Sequence, residues 1–517
     1  MTVDSHPRTK ARERLIVVKN AVANIGRGSA ASIVAVFLPP FLTRSMSSEA
    51  FGAWSLVLQL GAYVGYFDFG IQTAIGRFVA HSTERRDLVH RDGIVSSAFV
   101  MLSALAILAA LAICVVAALL PELFHQIHRQ LIFETRVTLL LVGGSLAISL
   151  PSSVFSSTFV GLQRNEVPAA VIGISRLLGA TLVVLAVRFG GSLVSMGAVT
   201  AAVNLASAVV LFALMRKLLP AITISLSQLS WASVREIVDY CTSLSVWSFG
   251  MLLVTGMDLT IVGIYRFNQV GYYAVAATLV TFLNGLFGAL YSALGSPAAV
   301  LHARNDRAGL GGMVATSTRV AMLALLAVGF FMVIAAKPLL RIWVGPEYAQ
   351  HAAPLLQILV AANMLRICIS PYIIAMIGTG EQRKIILVPL IEGVVNLGMS
   401  VLLVRRLGAA GVAWGTFIGS FVSLGGHLIY TIRRSESVDL RPLQYLYSSL
   451  LRPLACGIPA LLCAVLWNNV SNFQDPWLKV ALVSLAAVIT ILLVWGVGMT
   501  SSERRKLCAL AQPKALE

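Results

Sequence analysis

Seven ionisable residues stand where the chain is otherwise apolar: Arg27, Arg176, Arg319 and Arg366, and Asp68, Asp258 and Glu392. Arg27 shows the problem: the next charge after it is Arg44, and everything between reads as a membrane-spanning helix. A charge at mid-bilayer costs about 2.5 to 3.5 kcal/mol on insertion scales, so such groups face a water-filled cavity or each other rather than lipid. With Arg77, which is read as an anchor at the inner end of its segment, the cations outnumber the acids, and low-dielectric walls focus a positive field on an anion. Guanidinium suits phosphate, because its planar fork donates in a bidentate way and stays charged at any physiological pH. The chemistry this set could do is recognition of an anionic, phosphate-bearing cargo, with Arg27, Arg176, Arg366 and Arg319 as candidate binding residues.

Depth separates these candidates. Arg176 lies roughly 14 Å along its segment at the rise of an α-helix, and Arg366 is near the middle of its own. Arg27 and Arg319 are about 10 Å from inner helix ends, where snorkelling to headgroups competes with a cavity role. Glu392 occupies the repeat counterpart of the segment that carries Arg176, so a standing Arg176–Glu392 ion pair and a protonatable gate are both open. Asp68 sits in FDFGIQTA, where glycine and polar residues loosen the helix, and Asp258 comes near the outer face, within reach of Arg266 or Arg44. The three acids are the candidates for coupling or gating.

The elements that must position these groups follow from composition. The chain has 517 residues, 58% hydrophobic and 12% charged, with a mean hydropathy of +0.85, whereas soluble domains carry about 25% charged residues. It is read as an integral membrane protein. The net charge of +17 is spread along the chain rather than gathered on one soluble face, which argues against a nucleic-acid partner. The six cysteines are scattered without a CxxC pair or metal-ligand spacing, so no metal site is expected.

A helix needs roughly 20 mostly apolar residues to cross the hydrocarbon core. On that measure the chain holds about fourteen spans, near 20–43, 50–79, 93–119, 137–160, 167–187, 193–215, 239–264, 269–295, 313–336, 354–378, 385–404, 410–431, 449–469 and 477–498. The fold expected is all-α and polytopic. With the N-terminus inside, the inner segments hold more than twice as many Lys and Arg as the outer loops, which matches the positive-inside rule with both termini cytoplasmic.

The chain also repeats itself weakly. Pro151, Gly161, Gln163, Arg164, Val167, Pro168, Arg188 and Gly190 are echoed in order by Pro371, Gly380, Gln382, Arg383, Val388, Pro389, Arg406 and Gly408, and FGAW at 51–54 by VGYY at 270–273. Six spans form each unit, and six being even, the pseudo-twofold lies along the membrane normal. The expected organisation is a tail at 1–19, an N-lobe at 20–219, a linker at 220–238, a C-lobe at 239–434, a linker at 435–448, two further spans within 449–498 and a tail at 499–517. A central cavity between the lobes would receive the buried charges. Pro151 and Pro371 each free a carbonyl and kink their spans, which makes them hinge candidates.

Other signals carry less. DFG at 68–70 has no kinase context. PELFHQIHRQLIFETR at 121–136 is read as a solvated outer connector, and GLGG at 309–312 as an inner loop without a nucleotide-site lysine. No Walker motif is present, and no catalytic residues are assigned.

The aromatic-rich start of span two followed by YFDFGIQTAIGRFVA at 66–80 resembles the Wzx-type polysaccharide flippases of the multidrug/oligosaccharidyl-lipid/polysaccharide (MOP) exporter superfamily. The fourteen spans and the six-plus-six duplication fit that superfamily over almost the whole chain. The resemblance implies a bacterial inner-membrane protein that moves an undecaprenyl-pyrophosphate-linked oligosaccharide to the periplasmic leaflet by alternating access, for O-antigen, exopolysaccharide or capsule. It implies a cationic cavity that receives the pyrophosphate and sugars, onto whose cation role Arg27, Arg176 and Arg366 map by type and depth, with membrane lipids and other polysaccharide assembly proteins as partners. No cofactor is implied beyond coupling to a proton or sodium gradient. Two other readings stay open: an ion-coupled multidrug exporter of the same superfamily, and a membrane polysaccharide polymerase or ligase.

The charge bias makes a prediction about topology. A single cysteine placed after Met1 or at Glu517, in a chain whose own cysteines are replaced, should resist a membrane-impermeant maleimide in intact cells and react once the inner membrane is opened. Labelling of either terminus in intact cells would reverse the assignment.

Overall fold

A computed structural model describes residues 28–292, 294–459, 462–463, 476–501 and 504–505. All its described elements are helical. Lipid offers no hydrogen bonds, so apolar runs such as ALAILAALAICVVAALL close every backbone bond internally. Ten described helices are long and apolar enough to cross a membrane, and eleven if the bent pair Trp231–Thr242 and Leu244–Gly256 is one span. The expected spans at 20–43 and 449–469 lie partly outside the described residues; a helix covers 28–45, and the last long helix is Pro476–Leu493.

Contacts divide the chain into two compact units. The first comprises Met1–Thr278, Trp343–Gly345 and Ser400–Val412; the second comprises Leu279–Ile342, Pro346–Met399 and Ala413–Glu517. In the first unit, the apolar segment expected to cross as one span over 50–79 breaks. Helix Ser48–Ala62 passes into a 3-10 turn, Tyr63–Asp68, then Phe69 and Gly70 adopt φ of 50° and 86° before helix Ile71–Glu84 begins. Glycine is required at 70 on two counts: its backbone is left-handed, and a Cβ there would sit 2.8 Å from the Leu244 side chain. Asp68 Oδ1 accepts from the Gln72 amide at 3.2 Å, satisfying one donor at the start of the new helix.

The internal duplication is legible in backbone geometry, within each unit separately. Helix Ser153–Gly161 ends with the Leu162, Gln163 and Arg164 amides donating to the carbonyls of Thr158, Val160 and Phe159, with Gln163 at φ 59°. Helix Pro346–Gly378 ends in the same way: Thr379, Gly380 and Glu381 donate to Ala375, Ile377 and Met376, with Gly380 at φ 80°. This fixes the register of the repeat two residues earlier than sequence matching suggests, pairing Gly161 with Gly378 and Arg164 with Glu381. A Cβ on Gly161 would meet the Gly76 carbonyl at 2.8 Å, and one on Gly378 the Gly295 carbonyl at 2.9 Å. Membrane helices associate through such small-residue contacts, because lipid supplies no hydrophobic drive between them. The entry to each third helix is duplicated too. Arg86 and Asn305 are left-handed, and Asp87 and Asp306 then cap by accepting from the amides of His90 at 3.0 Å and Gly309 at 2.8 Å.

Each closing turn is tied to the end of the sixth helix of its copy or to the chain just after it. Arg164 donates to the Leu218 carbonyl at 3.5 Å. Glu381 accepts from Ser437 Oγ at 2.6 Å and from the Glu436 amide at 3.3 Å. Lys384 reaches Glu436 at 2.9 Å, and that hydrogen bond holds the Glu436 carboxyl below its ordinary value.

Two connectors differ from expectation. The segment 121–136 is mostly helix: Leu88–Leu123 runs through Pro121 and Arg129–Ser149 starts soon after. The turn between them is anchored by buried Phe124 and by Gln126, which donates to the Tyr265 carbonyl and accepts from the Phe267 amide. GLGG at 309–312 is no loop either. The Asp306 cap turns it into the start of helix Arg307–Leu325, and Gly311 has no side chain because the Asp439 carbonyl occupies that space.

The close approaches predict a size limit. Gly161→Val and Gly378→Val should each destabilise the detergent-purified protein by about 1 to 3 kcal/mol through overpacking, while Gly144→Ala, which meets nothing within 4 Å, leaves the melting temperature unchanged. Equal melting of all three variants would refute the packing account.

Candidate functional site

Helix 28–45, the Ser48–Ala62 helix, the Arg129–Ser149 and Ser153–Gly161 pair, and the Glu166–Arg188 and Leu193–Leu218 helices line a cavity of about 1050 Å³ inside the first unit. Its lining includes Gln72, Ser149, Ser152, Ser153, Ser156, Asn165, Thr200 and Asn204, with Arg176 as the one charged residue among them. Arg176 projects from the middle of Glu166–Arg188, at a depth where a lipid-facing cation would be costly.

The serines arise from a break. Pro151 has no amide proton, so the ladder of Arg129–Ser149 tightens into the 3-10 turn Leu150–Ser152, with Leu150 donating to Ala147, before helix Ser153–Gly161 resumes. Ser149, Ser152, Ser153 and Ser156 fall on or beside one face across that break, at spacings of three and four. Many of the hydroxyl protons are spent on the backbone. Ser152 Oγ donates to the Ser149 carbonyl at 2.6 Å, Thr200 Oγ1 to Met196 at 2.8 Å, and Ser149 Oγ to Asn204 at 3.4 Å. Ser153 Oγ and Asn165 Oδ1 are buried with no hydrogen-bond partner among the described residues.

The remaining candidates occupy other settings. Arg27 lies outside the described residues. In the second unit Arg366 and Glu392 meet: Arg366 Nε donates to Glu392 Oε1 at 2.8 Å, and a terminal nitrogen stands 2.7 Å from the same oxygen, with the two side chains 16% and 5% exposed. Glu392, considered above as a partner for Arg176 or as a gate, therefore has Arg366 as its counter-ion. Arg319 is buried and donates to the Ser448 carbonyl at 3.5 Å, beside the Thr318–Tyr445 hydroxyl contact at 2.9 Å. Asp258 is buried and accepts from the Tyr273 hydroxyl at 3.0 Å. Asp68 holds the backbone of Gln72, whose side chain reaches the cavity wall. Arg77 lies over the Tyr240 ring at 5.0 Å, a cation–π contact.

Pro151 makes the break at the cavity, whereas Pro371 lies buried inside the continuous helix Pro346–Gly378. In the structural register they are not equivalent. Pro151 precedes its closing glycine by ten residues and Pro371 by seven, a shift of about one helical turn.

The sequence reading missed the hydroxyl wall. LPSSVFSS, read at helical spacing, was the available signal, but serine in an apolar run passes for a small packing residue. It also missed His427. That side chain is fully buried in the second unit, at the head of the π-helical segment His427–Thr431, with Nδ1 3.0 Å from Thr431 Oγ1.

Comparison with known proteins fits this architecture. Residues 17–297 match the family model described as polysaccharide biosynthesis protein. Over 386 residues, 74% of this chain and 76% of the relative, the sequence is 20% identical to an uncharacterised membrane protein, EpsK, of Bacillus subtilis (strain 168). Among solved structures, the lipid II flippase MurJ in an inward closed conformation superposes with a TM-score of 0.68 at 12% identity, covering 94% of this chain and 99% of that one. An inward-facing multidrug resistance MATE transporter of the MOP superfamily gives 0.61 at 15% identity, covering 84% and 95%. The fold is thus MurJ/MATE-like, and these two solved neighbours are a lipid II flippase and a multidrug transporter. This chain is a multi-pass membrane protein and belongs to the polysaccharide biosynthesis protein family.

Proposed function

We propose that this protein moves a lipid-linked oligosaccharide, its glycan joined to a polyprenol through pyrophosphate, from the cytoplasmic to the periplasmic leaflet of a bacterial inner membrane by alternating access. The observation that carries this reading is Arg176, a cation in the wall of a roughly 1050 Å³ cavity whose other lining residues are neutral. A guanidinium there can hold a pyrophosphate by charge-assisted bidentate hydrogen bonds, strengthened by the low dielectric around it. The sixteen-per-cent-exposed Arg366 has its charge met by Glu392, so its part in the proposal changes from direct binding to a gating pair. Opening of that pair would release Arg366 toward cargo, which makes the pair a gate. Arg319, Asp258 and Asp68 hold backbone or hydroxyl groups in place, and Arg27 remains a candidate at the inner end of the first span.

The drug-exporter reading is disfavoured by the same wall. A cationic drug would meet a cation and find no carboxylate among the lining residues.

In a strain lacking its own copy of the gene, Arg176→Ala should lower surface polysaccharide by about 10- to 100-fold, the worth of one charge-assisted contact, at unchanged protein level, with Arg176→Lys intermediate. Unimpaired export would remove the binding assignment. For the pair, Arg366→Ala should be more damaging than Arg366→Glu combined with Glu392→Arg, because the swap leaves no buried charge unmet. Export equal in the single and swapped variants would remove the gating pair.

A further inference from the structure

We infer that the hydroxyl wall of the first-unit cavity is a sugar-binding subsite that exchanges hydrogen bonds with the glycan, with Ser153 and Asn165 as its specificity-determining residues. This rests on the transport reading above and assigns the part of the cargo that Arg176 does not hold.

The argument is an account of hydrogens. Ser149, Ser152 and Thr200 have each committed their single hydroxyl proton to a backbone carbonyl, and Asn204 Nδ2 donates to Ser145 Oγ at 3.1 Å. What these hydroxyls still offer the cavity is lone pairs. Ser153 Oγ and Asn165 Oδ1, both at the cavity wall, have no partner among the described residues. Ser153 keeps both its proton and its lone pairs, and Asn165 Oδ1 keeps lone pairs alone. Buried polar groups left unmet cost free energy, so a site that keeps these two is built for a ligand that both donates and accepts.

Elimination then names the ligand class. Pyrophosphate has only acceptors, so it matches Arg176 and can take the Ser153 proton, but it leaves Asn165 Oδ1 and the lone pairs of Ser149, Ser152 and Thr200 unmet. A polyprenyl chain has nothing to donate. An ammonium would donate, but the wall shares its cavity with Arg176 and includes no carboxylate. Neutral hydroxyl groups remain, and sugars present many of them. The geometry allows both parts to bind together. Asn165 precedes the first turn of Glu166–Arg188 and Arg176 follows eleven residues later, about 17 Å along the axis, so a pyrophosphate at Arg176 leaves room for sugars toward Asn165 and Ser153.

Binding of two probes to the detergent-purified protein tests this: undecaprenyl pyrophosphate, and the same lipid carrying a neutral disaccharide. Wild type should prefer the glycosylated lipid. Ser153→Ala and Asn165→Ala should each weaken glycosylated-lipid binding about five- to tenfold, the cost of a lost hydrogen bond, and leave binding of the bare lipid within twofold, which also reports a correctly folded cavity. Arg176→Ala should weaken both probes. Equal losses on the two probes, or none, would overturn the subsite while leaving the transport reading standing. If the variants cannot be purified, wild type decides alone: no preference for the glycosylated lipid overturns the subsite, and binding of neither probe overturns the transport reading together with it.

Discussion

The bilayer interior has no water to offer, and that scarcity organises the molecule. Each backbone group, hydroxyl and charge within the spans must find its partner in protein or in a wet cavity. The outcome can be followed residue by residue. Asp68 takes a backbone amide at the start of a helix, Asp258 takes a tyrosine hydroxyl, and Glu392 takes a guanidinium. Arg176 reaches a cavity. The serines that would otherwise be a burden spend their protons on neighbouring carbonyls.

The same scarcity shapes the packing. With no hydrophobic drive between helices in lipid, close backbone approach does the work, and glycine permits it. The contact between Gly161 and Gly76 and the one between Gly378 and Gly295 are the same solution reached in the two copies. The duplicated closing turns extend the likeness to individual hydrogen bonds. What diverged is the chemistry laid over them: Arg164 reaches a carbonyl where Glu381 gathers a serine hydroxyl and an amide. A conserved frame carrying altered side chains is the expected record of an old duplication.

The sequence shows most of the frame and less of the site. Hydropathy and the positive-inside bias locate the helices because their signals extend over twenty residues. The break after Tyr63 escapes that window: YVGYFDFG is apolar enough to continue a span, and what divides it is the left-handed Phe69–Gly70 pair packed on Leu244. The connectors escape in the same way, since the anchoring of 121–136 by Phe124 and Gln126 and the cap at Asp306 are short-range chemistry that composition overlooks. At the site, depth singled out Arg176 and Arg366 but could not separate them. Only three-dimensional packing shows that one enters a cavity and the other meets Glu392. The hydroxyl wall depends on a 3-10 turn whose effect on facing cannot be counted from helical periodicity.

Pro151 lies in the 3-10 turn that interrupts a span, between Ser149 and Ser152 of the cavity lining. Ser149 lies before that bend and Ser153 after it, so the two present a common surface at one angle only. A molecule that bridges them is therefore a clamp on the angle, and by reciprocity a change of angle loosens the molecule. Loading and bending, in a helix made this way, are a single equilibrium seen from two ends.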